Sequence, residues 1–211
     1  MTYNVDQEND VQLHTDYHNR FKSTKPFQVR SAQVEQWKKI TQYVKLTNPF
    51  PATIFVFSQD TKCFTLKRKV DEIIEEYVNV ELGFCDDVPI WKKDRLVLVL
   101  IVDMEQGAKT NQLIAGVALI DPVDTVIIQP DNKPSKRGNY AGINRLWIQQ
   151  SMRRKSLGTL LTNVARSVLY PNFPKETTRA AFYQPTEESM PFVMAYFNNQ
   201  HRYLVYEEDD D

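Results

Sequence analysis

Arg153, Arg154 and Lys155 stand side by side, and Ser156, Leu157 and Gly158 follow them into a long apolar stripe. Leu157, Leu160, Leu161, Val164, Ala165, Val168 and Leu169 recur at the offsets of one helical face, and Pro171 ends the run. Just upstream, Ile143-Asn144-Arg145-Leu146-Trp147-Ile148 reads as a strand. A strand entering a helix through a short turn aims unpaired backbone N–H groups at one point, and the helix dipole adds to them. Cations in the first turn of a helix oppose that dipole by ~0.3–1 kcal/mol each, so three of them together imply a compensating anion. Anion binding is the chemistry this pattern supports, beside the plainer reading of a basic first turn on a solvated helix face. A second chemistry-bearing pair is His14 and His18. Zn²⁺ takes four ligands, commonly two Cys and two His. Only Cys63 and Cys85 are present, too far along the chain for a finger, so taken alone the two histidines read as surface residues.

The remaining elements must position that turn. Residues 31–46 fit two readings: Val34, Trp37, Ile40 and Val44 share a helical face, whereas 40–46 also alternates as a strand. Asn48-Pro49-Phe50-Pro51 breaks the chain, and Thr53–Phe57 reads as a buried strand. Val70, Ile73, Ile74 and Tyr77 mark a helix with Glu72, Glu75 and Glu76 outside it, stopped by Gly83. Residues 95–102 form a near-continuous apolar run, as in a strand covered on both faces. Residues 113–120 are its expected hairpin partner across a loop containing Gly107. A mobile basic loop with Lys133, Lys136 and Arg137 is expected over 130–141. Strands are expected at 179–183 and 202–206. Between them Ser189 is the expected N-cap of a helix with Pro191 in its first turn. Trp37, Trp91 and Trp147 read as packing residues.

Composition bounds the function. The 211 residues are 42% hydrophobic and 25% charged, ordinary values for a folded domain. Net charge is −1, but five of the 27 acids form the terminal run 207–211. The rest, 26 cations against 22 acids, carries only +4, too little to argue for nucleic-acid binding. Two cysteines exclude a disulfide scaffold and a four-cysteine metal site. No apolar run reaches the ~20 residues of a membrane span, and the polar start does not read as a signal peptide. A reducing, intracellular setting is the expectation.

The spacing Arg153-x-x-Ser156-x-Gly158 resembles the pyrophosphate turn of the GCN5-related N-acetyltransferases, Gln/Arg-x-x-Gly-x-Gly/Ala. Ser156 departs at the first Gly, where left-handed geometry costs a serine more. Residues 142–148 followed by Met152-Arg153-Arg154-Lys155 closely resemble the sister-chromatid cohesion N-acetyltransferases. In the same order, Lys69–Ile73 through Glu81-Leu82-Gly83-Phe84 is similar to that family's first long helix. Ala181-Phe182-Tyr183-Gln184-Pro185-Thr186 is similar to its fifth strand, and Tyr203–Tyr206 to its last. Trp37-Lys38-Lys39 matches a segment after its zinc finger, and His14-x-x-Tyr17-His18 the histidine half of that finger.

The resemblance implies a GCN5-related N-acetyltransferase fold of the α/β (α+β) class. Its sheet is mixed and mostly antiparallel, with flanking helices and a V-shaped splay between two central parallel strands. Residues 31–206 would be the acetyltransferase domain, 1–30 an incomplete zinc-finger remnant and 207–211 an acidic tail. Acetyl-CoA would lie in the V. The strand at Leu146, Trp147 and Ile148 would pair with its pantetheine, and the turn Arg153, Arg154, Lys155, Ser156, Leu157, Gly158 and Thr159 would hold its pyrophosphate. Thr186, Glu187 and Glu188 would touch it again. The acceptor would be a lysine of the cohesin ATPase subunit, acetylated to establish sister-chromatid cohesion during DNA replication. That places the protein in the nucleus with replication and chromatin proteins as possible partners; oligomeric state is not set. A free lysine is neutral in only about one molecule in 2,500 at pH 7, so a base or desolvation must help. The family positions that can carry Ser, Glu and Asp or Gln hold Asn144, Asn163 and Gln184, none of which is a base. Asn144, Gln184 and Glu187 are the catalytic expectations, with Tyr183 and Tyr196 as further proton carriers. His14 and His18 would be a zinc half-site, completed only by a Cys-x-x-Cys encoded just upstream of Met1. Two alternatives stand beside this reading: an acetyltransferase for another amine, and a catalytically weakened CoA-binding or chromatin-interaction module.

Overall fold

The computed structural model describes residues 22–47, 51–84, 89–104, 111–135, 137–172, 179–198 and 202–207, with positions 11, 12, 15, 16 and 19. Met1, Tyr3, His14, Tyr17, His18, Asn48–Phe50, Cys85, Gly107, Lys136 and the tail 208–211 lie outside the described residues, and so do the expectations that fall on them. No helix among the described residues is long and apolar enough to cross a membrane.

Among the described residues ten strands form one sheet: β1 (Gln28–Arg30), β2 (Tyr43–Leu46), β3 (Ala52–Phe57), β4 (Leu96–Met104), β5 (Asn111–Val123), β6 (Ile127–Gln129), β7 (Lys133–Pro134), β8 (Tyr140–Ile148), β9 (Ala180–Tyr183) and β10 (Tyr203–Tyr206). Their order is β2-β3-β4-β5-β8-β9-β10-β6-β7, with β1 added to β5. All pairs are antiparallel except β8 with β9 and β9 with β10. This is the mixed sheet with two central parallel strands that the sequence led us to expect. The helices are α1 (Ser31–Ile40), α2 (Phe64–Ile73), α3 (Asn79–Leu82), α4 (Leu157–Leu169) and α5 (Met190–Tyr196). A π-helical turn, Ile74–Val78, joins α2 to α3, and Gly83 at φ 73° closes the whole run.

β3 is buried at all six positions, and β4 is buried from Val97 through Val102, so both faces of the sheet centre are covered. The two readings of 31–46 are both realised in sequence: a helix to Ile40, then an edge strand from Tyr43. Two expectations are corrected. Residues 25–30, expected within the 1–30 finger remnant, belong instead to the folded sheet domain. Phe27 is fully buried against Tyr77 and Trp147, and β1 pairs with β5. One aromatic and three strand residues carry too little periodicity to reveal that. The basic segment 130–141 is a hydrogen-bonded return: Lys133–Pro134 pairs with β6, and the Ser135 and Gly138 N–H groups donate to Val126 and Asp124 carbonyls at 2.7 and 2.8 Å.

The splay has a local cause on each strand. β8 and β9 register over three pairs only, Ala141–Ile143 with Ala180–Phe182. On β8, Arg145 lies opposite Leu119 and Ile143 opposite Ile120, so Asn144 is the extra residue of a β-bulge. A bulge bends its strand and sharpens its twist. On β9, Gln184 takes φ 37° and is followed by Pro185, which has no N–H to continue a ladder. Both strands therefore leave the shared ladder at the same level.

Candidate active site

The turn after β8 is tied down before it reaches α4. Gln149 is fully buried; its N–H donates to the Ala115 carbonyl at 3.0 Å, and its side chain accepts from the Ser151 N–H at 2.7 Å. Ala115 is itself the extra residue of a second bulge, in β5 opposite Leu100 and Ile101. Arg153 folds back, its Nε donating to the Ile148 carbonyl at 2.9 Å. Arg154 and Ser156 then adopt left-handed backbone, φ 63° and 59°. Alternating backbone of this kind gathers N–H groups into an anion-binding concavity. The sequence pointed to this cost at Ser156, and the fold pays it twice.

No side chain caps α4. The Leu160 N–H reaches the Ser156 carbonyl at 3.0 Å, closing the first turn and leaving the preceding N–H groups without a helical partner. Leu157 is buried and anchors the helix, while Arg154, Lys155, Ser156 and Thr159 are exposed. Gly158 serves close packing rather than backbone freedom: a Cβ there would lie 3.1 Å from the Phe192 ring of α5, which would have to give way.

A cavity of about 560 Å³ opens at this helix end. Its walls are Leu146, Trp147 and Ile148 of β8, the turn residues Met152, Arg153, Arg154 and Ser156, the helix start Leu157–Thr159, and Thr186, Glu188 and Phe192 opposite. Glu81 and Leu82 of α3 complete it. At Leu82, Leu146, Thr186, Ser189 and Phe192 it adjoins a narrower pocket of about 90 Å³. Asn144, Arg145, Phe84, Tyr183 and Gln184 line that narrower pocket. A wide chamber with cations and amides thus leads to an apolar slot between the splayed strands. That shape accepts an elongated molecule with an anionic end.

Of the residues singled out for the cofactor, Leu146, Trp147, Ile148, Arg153, Arg154, Ser156, Leu157, Gly158, Thr159, Thr186 and Glu188 line the chamber. Lys155 and Glu187 do not; the Lys155 ammonium lies 3.6 Å from the Met152 sulfur instead. Asn144 and Gln184 meet in the slot. Asn144 is buried at the bulge, and its side chain hydrogen-bonds Tyr206, whose hydroxyl donates to Asp121 at 3.1 Å. Burial and the Asp121 carboxylate push the Tyr206 phenol upward. Asp121 in turn receives two hydrogen bonds from the buried Arg95, at 2.7 and 2.8 Å.

Tyr196 lines neither chamber nor slot. Its hydroxyl donates to Asn163 Oδ1 at 3.0 Å, beside the Arg166 Nη2 that donates to the same oxygen at 2.6 Å. Burial raises its phenol to about 12. Tyr196 therefore stays protonated and bonds α5 to α4. Ser189 begins α5 as expected, yet its own backbone is already helical, φ −84° and ψ −20°, and its hydroxyl donates backward to the Thr186 carbonyl at 2.9 Å. It caps nothing.

The sequence did not single out Glu81, whose carboxylate accepts from Trp147 Nε1 at 2.7 Å and pairs with the Arg153 guanidinium. Its signal was nonetheless present: Glu81 falls four residues after Tyr77, continuing the buried stripe of Val70, Ile73 and Ile74. A carboxylate on such a stripe must have a partner. Among the described residues no cluster of three metal-ligating side chains occurs.

Residues 138–206, from just before β8 to the end of β10, match the model of the ESCO1/2 acetyl-transferase family. Among curated proteins, the chain is 19% identical to the N-acetyltransferase eso1 of Schizosaccharomyces pombe and 22% identical to the N-acetyltransferase ESCO2 of Mus musculus. Each alignment covers 98% of this chain but only 24% and 33% of the relative, so the chain spans about a quarter to a third of those proteins' length. Among solved structures, the xEco2 acetyltransferase domain bound to a K105-CoA conjugate superimposes with a TM-score of 0.60 at 21% identity. That match covers 79% of this chain and 98% of that one. The xEco2 acetyltransferase domain on its own matches with a TM-score of 0.57 at 22% identity, over 80% and 98%. The chain thus has the fold of the xEco2 acetyltransferase domain and resembles the sister-chromatid cohesion N-acetyltransferases, most densely over the stretch that builds the chamber.

Proposed function

We propose that the chain is an acetyl-CoA-dependent N-acetyltransferase whose acceptor is a lysine side chain. The observation that carries this reading is the chamber at the α4 N-terminus, open to Arg153 and Arg154 and continuous with the slot between β8 and β9. The CoA diphosphate would sit on the N–H groups of 156–159, with the exposed Arg154 lining the same chamber. Its pantetheine would run along Leu146–Ile148 and bring the thioester to the level of Asn144 and Gln184. The K105-CoA conjugate bound by the xEco2 domain supports a lysine as the acceptor.

In the transfer, the lysine Nζ lone pair attacks the thioester carbonyl, the C–S bond breaks and CoA leaves as the thiol. The surplus ammonium proton goes to solvent. A β8 N–H facing the gap would donate to the oxyanion. No carboxylate lines the slot among the described residues. Deprotonation then falls to desolvation: Phe84, Phe182, Tyr183 and Phe192 surround the amine with apolar surface, which lowers an ammonium pKa.

The similarity to eso1 and ESCO2 supports the finer reading, with the cohesin ATPase subunit as substrate, cohesion established during DNA replication, a nuclear setting and partners among replication and chromatin proteins. The missing carboxylate favours a second reading, a CoA-binding module of weak activity. One experiment separates them. Thermal shift with CoA reports binding, and thiol release from acetyl-CoA with cohesin-derived lysine peptides reports turnover. Binding with turnover supports the enzyme, binding without turnover the module, and no binding removes both.

A further inference from the structure

Glu81 carries an inference that rests on the CoA reading and goes beyond it. Its carboxylate links the helical run α2–α3 to the chamber wall and to the anion turn. One oxygen holds the indole of Trp147 on β8 at 2.7 Å, and the other holds the guanidinium of Arg153. The Glu81 side chain is 24% exposed and Arg153 41%, so this pair sits at the chamber mouth, partly screened by solvent, where its value lies in fixing direction.

Arg153 is tethered at two points. Its Nε is committed to the Ile148 carbonyl at 2.9 Å and one Nη2 hydrogen to Glu81, which leaves the Nη1 edge for a ligand. A guanidinium is a rigid fork, so two anchored donors fix the direction of the rest. Without Glu81 the side chain keeps a single tether and gains rotamers it must give up on binding.

A carboxylate in a chamber for a polyanion would be a liability if it only added negative charge. The geometry points to Glu81 as a positioning residue: it orients the free edge of Arg153 toward the CoA diphosphate and, through Trp147, holds the wall along which the pantetheine lies.

The test is Glu81→Gln, measured with Arg153→Met and the double variant, using CoA as the probe in calorimetry and acetyl-CoA in turnover. A glutamine still accepts from the indole, so the wall stays, but its amide turns a donor toward the guanidinium. We expect CoA affinity to fall about tenfold in Glu81→Gln, a typical loss for one charge-assisted hydrogen bond. KM for acetyl-CoA should rise by a similar factor with kcat unchanged. In the Arg153→Met background the same change should have no further effect, because Glu81 acts through that side chain. Unchanged affinity in Glu81→Gln, tighter binding, or an equal loss in the Arg153→Met background would each overturn the assignment. Wild-type protein that binds no CoA would instead overturn the function proposed above. Should Glu81→Gln fail to fold, Glu81→Asp replaces it: its carboxylate is one methylene too short to reach both partners and should give the same loss.

Discussion

Ser156 is the residue at which the anion turn can be tested without touching a contact. It enters α4 at φ 59°, ψ 16°, its hydroxyl caps no helical N–H, and it is exposed. Left-handed backbone costs a residue with a Cβ roughly 1–2 kcal/mol. Glycine removes that cost but gains freedom in the unfolded chain worth roughly 0.5–1 kcal/mol. Ser156→Gly should therefore stabilise the protein by about 0.5–1 kcal/mol. For a chain of this size each kcal/mol moves Tm by roughly 2–4 °C, so calorimetry should show a rise of about 1–4 °C. Ser156→Val, with a branched Cβ forced into the same conformation, should move Tm the other way. CoA affinity of the glycine variant should stay within about twofold, since the N–H groups keep their directions. A glycine variant that melts lower than wild type would refute the reasoning, because it would mean that the turn is not left-handed at 156 or that the hydroxyl is bonded after all.

Four further outcomes follow from the structure. Thr159→Glu puts a carboxylate on the exposed first turn of α4 and should cut CoA affinity at least tenfold with Tm nearly unchanged. Isothermal titration checks it, and it is a cleaner probe than Gly158→Asp, whose Cβ would press on Phe192. Gly142→Ala should cost about 2–3 kcal/mol in urea unfolding, since its Cβ would fall 2.6 Å from Val123 and 2.9 Å from the Tyr206 ring at the apex of the V. If the amine loses its proton by desolvation alone, kcat/KM should climb tenfold per pH unit through pH 7–9; a plateau near pH 7 would point to a protein base. Tyr196 has its folded pKa raised from 10 to about 12, so its contribution is intact below pH 10 and is lost between pH 10 and 12 as the unfolded state ionises first. Two units amount to about 2.7 kcal/mol. Tyr196→Phe should flatten that part of the alkaline decline in a denaturant series.

Residues with strong local pattern were readable from the sequence alone. The seven-residue apolar stripe gave α4 to its last residue, Pro171 gave its end, and Gly83 at φ 73° gave the end of the α2–α3 run. The turn was legible because cations at a helix start contradict the dipole and so call for a ligand. What could not be read depends on contacts distant in sequence. The bond between Glu81 and Trp147 spans 66 residues, and that between Arg153 and Glu81 spans 72. Phe27 enters the core only because β1 adds to β5. The splay arises from a bulge at Asn144 and a twist at Gln184, neither of which alters hydrophobic periodicity. Asn144 was singled out as a replacement for a family serine; its bond to Tyr206 became visible only once β10 lay beside β9.

The three-rung parallel ladder between β8 and β9 gives the protein a margin in the middle of its own sheet. Margins of this kind are normally hazards, since any passing strand can bind there. Here α5 and the end of the α2–α3 run line the opening, which narrows to about 90 Å³, a space suited to something as thin as a single chain of amides and methylenes. A guest of that shape becomes a temporary eleventh strand, and the protein should breathe less while it stays. Backbone amides of 144–148 that face the gap should exchange with deuterium faster in free protein than in protein saturated with CoA, while those facing β5 remain slow in both.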